Sequence, residues 1–181
     1  MSPLQWLLLG ALVVCVFWMV GAHNRIVALR ATIVDAWTQV DSLLERRGQV
    51  LDAMAQALWD LWPNGRGGVD ALRSAQQQLH TAAQAVRAHP ARAAAAATLA
   101  TAEGALNATV ARVLNQVESD AELHANDAVA TQMLALFEFG PRLLETRQRF
   151  NQACDAYNEA IRQFPTSLLV PVFRFEIAGA L

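Results

Sequence analysis

Nineteen consecutive residues, Leu4 to Ala22, carry no charged side chain, and nothing else in the sequence limits the fold as sharply. Coiled as a helix, the stretch spans about 28 Å, close to the roughly 30 Å hydrocarbon thickness of a bilayer. Trp6 and Trp18, near its two ends, suit the membrane–water interfaces. A cleaved signal peptide is the competing reading, with Val20-Gly21-Ala22 as the cleavage site, but nothing before Leu4 supplies the basic n-region it needs. A lipoprotein signal does not fit either, since Val14 precedes Cys15 where a small residue is required. The segment is therefore expected to be a retained single-pass anchor. No Arg or Lys precedes it, and Arg25 and Arg30 follow it. Positive charge stays on the cytoplasmic side, so the short N-terminus is expected outside and the domain in the cytoplasm, with the anchor in the cell membrane.

Composition agrees with one domain plus an anchor. The 181 residues are 54% hydrophobic, with a mean hydropathy of +0.22, because the anchor is joined to a middle rich in Ala, the strongest helix former. Net charge is −2, which leaves no basic surplus for a phosphate backbone and argues against nucleic-acid binding. All basic side chains are Arg, a trait of genome composition rather than function. Cys15 and Cys154 are read as reduced thiols. One lies at membrane depth, and together they make neither a disulfide framework nor a metal motif.

After the anchor the periodicity is helical. A first helix over about 23–62 has a heptad seam of Ile26, Ile33, Trp37, Val40, Leu44, Leu51, Met54, Leu58 and Leu61. Pro63 to Gly68 is the strongest loop signal. A second helix is expected over 69–88, a third over 91–119 after the His89-Pro90 break, and a fourth from an N-cap at Asn126 or Asp127 to Phe164-Pro165. On the fourth, Val129, Met133, Leu136, Gly140, Leu143, Arg147, Phe150, Cys154, Tyr157, Ile161 and Phe164 step by four and three. Pro141 is expected to kink it. The sole β-prone stretch, Leu168 to Phe175, has no partner strand. The expected class is all-α: a transmembrane helix continuing into an antiparallel up-and-down four-helix bundle. Its organisation is anchor 1–22, bundle 23–165 and apolar C-terminal tail 166–181.

Three blocks of residues resemble the LemA family of bacterial membrane proteins. The first is His23-Asn24-Arg25, Val27 to Arg30, Ala36-Trp37, and Gln39-Val40-Asp41 through Leu44 to Arg46-Arg47. The second is Leu123 to Asn126, and the third is Arg147 to Asn151, Tyr157-Asn158, Ile161, and Phe164-Pro165-Thr166-Ser167-Leu168 to Phe173. The chain departs from the family where Val50 to Met54 replaces an apolar-Pro-Asn stretch, and where Gly140-Pro141 replaces an acidic residue. The resemblance implies a membrane-anchored helical bundle with no established biochemical activity.

No catalytic, cofactor or metal constellation is found. None of His23, His80, His89 and His124 has a Glu three residues before it, and there is no His-Glu-x-x-His, Cys-x-x-Cys, phosphate-binding Gly loop or nucleophile elbow. Asn107-Ala-Thr109 matches the glycosylation sequon, a pattern common by chance. The seam arginines are the unusual feature. Arg30, Arg47 and Arg147 stand where Leu or Ile is expected, either with their heads reaching water along the bundle edge or as polar layers that fix register. Their candidate partners are Asp41, Glu45, Asp52 and Glu145.

Alternating helix directions return the end of the fourth helix to the membrane. Leu168, Leu169, Val170, Val172, Phe173 and Arg174 are therefore expected to contact the bundle base, the bilayer or a second copy. The shorter middle helices leave part of the long seam uncovered, which points to a homo-oligomer. The functional expectation is a non-enzymatic envelope scaffold or adaptor, working through the lipid bilayer, copies of itself or another envelope protein. The alternative is a ligand-sensing bundle of the membrane-receptor type.

Overall fold

A computed structural model describes residues 3–164, 166–168, 170–173 and 175–181. Within these, the side chains of Pro3, Leu4, Leu8, Leu168, Pro171 and Val172 lie outside the description. Every described element is helical. The longest, α1, runs unbroken over Pro3–Leu61, and its first part is long and apolar enough to cross a membrane. None of that apolar window is buried inside the domain; Trp6, Leu7 and Phe17 are exposed. From Ile26 onward the expected seam turns inward: Ile26, Ile33, Trp37, Val40, Leu44, Leu51, Met54 and Leu58 are all buried. Leu61, the last member expected, is exposed where the helix ends.

The turn after α1 is tighter than its Gly content suggests. Pro63–Gly65 makes one 3-10 turn, and α2 (Arg66–Ala88) starts at once, so Gly67 and Gly68 are helical rather than loop. The reason is Trp62, whose indole covers Gly65. A Cβ on Gly65 would lie 1.9 Å from a ring carbon, so the turn can close only over Gly. Two guanidiniums, Arg66 and Arg73, stack on the neighbouring Trp59 at 5.0 and 4.8 Å from its centroid.

Helix α3 spans Ala93–Ser119, and α4 is the single turn Ala121–His124. Asp120 caps α4 by accepting from the N–H groups of Glu122 and Leu123. Asn126 does the same for α5 (Asp127–Arg162), accepting from Ala128 and Val129. Each cap satisfies donors that a helix start otherwise leaves unpaired. Helix α5 continues through Pro141 without a break. A 3-10 turn (Thr166–Leu168) and the single turn α6 (Val170–Phe173) follow, so the described residues of the β-prone stretch form no strand.

One apolar core joins the long helices: α1 lies against α5 and α2, and α2 against α3. Polar pairs set the α1–α2 register. Passing along α2 from Arg87 through Gln76 to Arg73, the partners on α1 are Asp41 and Glu45, then Gly48 and Asp52, then Gln56.

Candidate functional site

Three polar arrangements interrupt the apolar core. The first is an ion cluster across α1, α3 and α5. Glu103 of α3 is 7% exposed, a depth at which a carboxylate has to be paired. Arg147 of α5 is ion-paired with its Oε1, and Nη1 of Arg47 of α1 approaches the same oxygen at 3.7 Å. Arg47 also donates from Nη2 to Asn107 Oδ1 at 2.7 Å, one turn along α3 from Glu103. Burial lowers the Arg47 pKa below its ordinary value; Glu103 raises it and Arg147 lowers it further. An arginine so placed is still charged at neutral pH.

Of the three seam arginines, the structure thus brings Arg47 and Arg147 together. Arg30 is a correction. It is exposed, at the rim of a small cavity shared with Tyr157, Phe175 and Glu176, and it forms no layer inside the core. It shares a side of α1 with Ile26 and Ile33, but its long side chain reaches the bundle edge instead of packing inside. The expected carboxylate partners are also corrected. Asp41 and Glu45 bind Arg87, both with oxygens 2.7 Å from Nη2, Asp52 accepts from Gln76, and Glu145 pairs with Arg149 on its own helix. Glu103 was not legible as the partner because it lies on α3, one residue off a stripe whose other members are apolar.

The second arrangement is a cleft of about 560 Å³ between α1 and α2. Leu44, Leu51 and Leu79 line its apolar side, and Asp41, Gln76 and Arg87 line its polar side. Gly48 leaves open space in its wall. The Gln76 amide donates to Gly48 O and to Asp52 Oδ1, each at 3.1 Å. Among the described residues, buried Gln76 Oε1 and Asp41 Oδ1 have no hydrogen-bond partner. Among the described residues, no group of three or more His, Cys, Asp or Glu stands together as metal ligands.

The third arrangement fixes the tail. Residues 175–181 leave α6 without helical structure and run along α5, held by two asparagines seven residues apart. Asn158 Oδ1 accepts from Ala178 N–H at 2.8 Å while its Nδ2 donates to Ala178 O at 2.9 Å. Asn151 does the same with Leu181, at 2.8 and 2.9 Å. Between them, Cys154 Sγ donates to Gly179 O at 3.4 Å. The spacing fits because seven helical residues advance about 10.5 Å, and three extended residues about 10 Å. Each primary amide supplies a donor and an acceptor together, as a neighbouring strand would. Gly179 is pressed against α3: a Cβ there would come within 2.6 Å of Ala93 Cα.

The tail's contacts begin at the foot of the domain. The His23 ring, directly after the uncharged stretch, lies 4.8 Å from Phe173 and 6.3 Å from Phe175. Val170 packs against the core, and Phe173 is partly exposed. Of the other expected contact residues, Leu168 and Val172 have side chains outside the description, and Leu169 and Arg174 lie outside the described residues altogether. Both cysteines are free: Cys15 is exposed and Cys154 is buried. Burial, then the nearby Asp155 charge, push the Cys154 thiol up to about 12.

Asn151 and Asn158 stand among the residues that resemble the family, and their spacing in the sequence alone assigns them no partner. The available signal was two amides on one turn register of α5, flanking buried Cys154. No curated protein matches the chain. The model of the LemA family matches residues 36–180, from within the buried α1 seam to the penultimate residue of the tail, and the chain belongs to the LemA family.

Proposed function

We propose that the chain is a non-enzymatic, membrane-anchored scaffold or adaptor of the bacterial cell envelope. In this reading α1, α2, α3 and α5 form an antiparallel up-and-down four-helix bundle, and the segment before His23 crosses the inner membrane with the domain on the cytoplasmic side. The observation that carries it is the continuity of α1. One uninterrupted helix passes from an exposed apolar segment into the centre of the core. With no flexible linker between anchor and domain, the domain stands at a fixed orientation on the membrane, as suits presentation of a helical surface to partners or to further copies.

The test begins with alkaline extraction of membranes, in which the full chain should stay in the pellet. Cysteines introduced at exposed sites such as Gln152 and Asp70, in a background lacking Cys15, should react with a membrane-impermeant thiol reagent only after the cells are opened. Crosslinking in intact membranes followed by affinity capture should recover defined protein partners. Labelling of intact cells would place the domain outside and reverse the orientation.

A ligand-sensing bundle is the second reading, favoured by the α1–α2 cleft with its two unpartnered acceptors. Gly48→Leu fills that cleft with a side chain. Loss of partner capture in this variant, with an unchanged melting temperature, would favour sensing over scaffolding.

A further inference from the structure

At the foot of the domain, residues of α1, α5, the tail and the α2–α3 turn surround a small cavity of about 170 Å³. Tyr157 of α5 reaches it from the core. Tyr157 is 2% exposed, yet its hydroxyl has no hydrogen-bond partner among the described residues. A buried hydroxyl costs stability unless a partner is supplied. Arg30 and Arg92 stand at the rim. Arg30 makes no hydrogen bond or ion pair among the described residues. Arg92 has only the approach of its Nε to Glu176 Oε2 at 4.0 Å, too long for a hydrogen bond. Arg92 is also the N-cap residue of α3 and makes no side-chain cap there, so the positive end of that helix dipole lies at the same rim. His89 is beside it, and Glu176 is the one carboxylate among the lining residues. Two guanidiniums against one carboxylate leave the cavity electropositive.

We infer that this cavity binds a phosphate group, and that the headgroup of a membrane lipid supplies it. Guanidinium groups donate and never accept, and a phenol can donate beside them. Two arginines and Tyr157, converging from three elements, therefore match a tetrahedral oxyanion with acceptors in several directions. The lipid source follows from position. Phe173 and Phe175 line the cavity and also pack beside His23, the residue directly after the uncharged stretch. Arg30 follows Ala22 by eight residues, about 12 Å along the helix. The headgroup layer extends about 5–7 Å beyond the hydrocarbon, and a long arginine side chain covers the remaining distance. Basic pockets at this level are suited to phosphorylated headgroups. The lipid source rests on the membrane-anchored reading, whereas the phosphate chemistry stands on the cavity alone.

Tyr157 is the only tyrosine in the sequence, so 3-fluorotyrosine gives the full chain a single fluorine resonance at the cavity. The chain is solubilised in a maltoside detergent in phosphate-free buffer. It is titrated with dihexanoyl phosphatidylglycerol, with inorganic phosphate, and with dihexanoylglycerol, which has the same acyl chains and no phosphate. The expected result is a saturable shift with the phospholipid, a weaker response to inorganic phosphate and none to dihexanoylglycerol. Arg30→Gln and Arg92→Gln, both at exposed positions, should each weaken binding about tenfold, as for loss of one charge-assisted hydrogen bond. Glu176→Gln should strengthen it. No shift with either phosphate probe, an equal shift with dihexanoylglycerol, or unchanged affinity when both arginines are replaced overturns the site. An equal response to inorganic phosphate keeps the site and overturns its lipid source. A chain that stays in membranes after alkaline washing yet shows no shift refutes the cavity alone. A chain released by the wash refutes the anchor, and with it the lipid source.

Discussion

The side-chain amide of Asn158 and the backbone of Ala178 exchange two hydrogen bonds, at 2.8 and 2.9 Å, and Ala178 is buried there against the core. The same pairing recurs between Asn151 and Leu181. The tail is thus fixed through its backbone, by amides that α5 presents at a matching spacing, as well as by Phe175, Ala178 and Leu181 against the core.

Asn158→Ala leaves a partly buried N–H and C=O of Ala178 without partners. A loss of about 1–3 kcal/mol is expected. Urea unfolding of the detergent-solubilised chain measures it, and a change within error would mean that the amide contributes nothing net.

The docked tail also shields Cys154, whose thiol touches Gly179 O. Gly179→Ala should lift the tail, because the added methyl meets the Ala93 backbone. Cys154 labelling at pH 8, in a Cys15→Ser background, should be slow in the parent and faster in Gly179→Ala and Asn158→Ala. Unchanged labelling in both variants would show that the thiol is protected by the helices alone.

Alkaline pH acts through the same thiol. Its pKa is raised from 9.0 to about 12 in the folded state. The stability it contributes is therefore complete below pH 9 and is lost as pH rises toward 12, at up to about 1.4 kcal/mol per pH unit. Tyr157, raised from 10.0 mainly by burial, adds a loss in the same direction. Cys154→Ala should flatten the stability curve above pH 9 relative to the parent; superimposable slopes would contradict the assignment.

Glu103 carries two arginines, and so its removal should be the more damaging side of that cluster. Glu103→Leu leaves Arg47 and Arg147 facing each other and is expected to cost about 3–5 kcal/mol. Arg147→Met leaves Arg47 with Glu103 and Asn107, and should cost less. Thermal melts of both variants decide the order. A higher melting temperature for Glu103→Leu would show that the cluster serves register rather than stability, provided the oligomeric mass had also changed.

Much of the molecule was legible in the amino-acid sequence because its signals are local. The uncharged stretch from Leu4 and the steps of three and four after Ile26 predict one long helix, and Asn126 followed by the periodic residues from Val129 predicts where α5 starts. Those features act within one or two helical turns, where spacing alone decides which side chains share a face. Only the tertiary structure decided which charge meets which. Glu103 reaches Arg147 across 44 positions of sequence, and Arg87 takes the two carboxylates expected for the seam arginines. Helix periodicity fixes a side chain's direction from its own axis but not the rotation and offset of the neighbouring axis. Arg30 on the surface and half-buried Arg47 are both seam positions in the sequence; the difference is that Arg47 is met by Glu103 and Asn107 of α3, whereas Arg30 faces an open cavity beside Tyr157 of α5. The tail followed the same rule, since its place depended on amides of α5 that no local pattern in residues 166–181 could reveal.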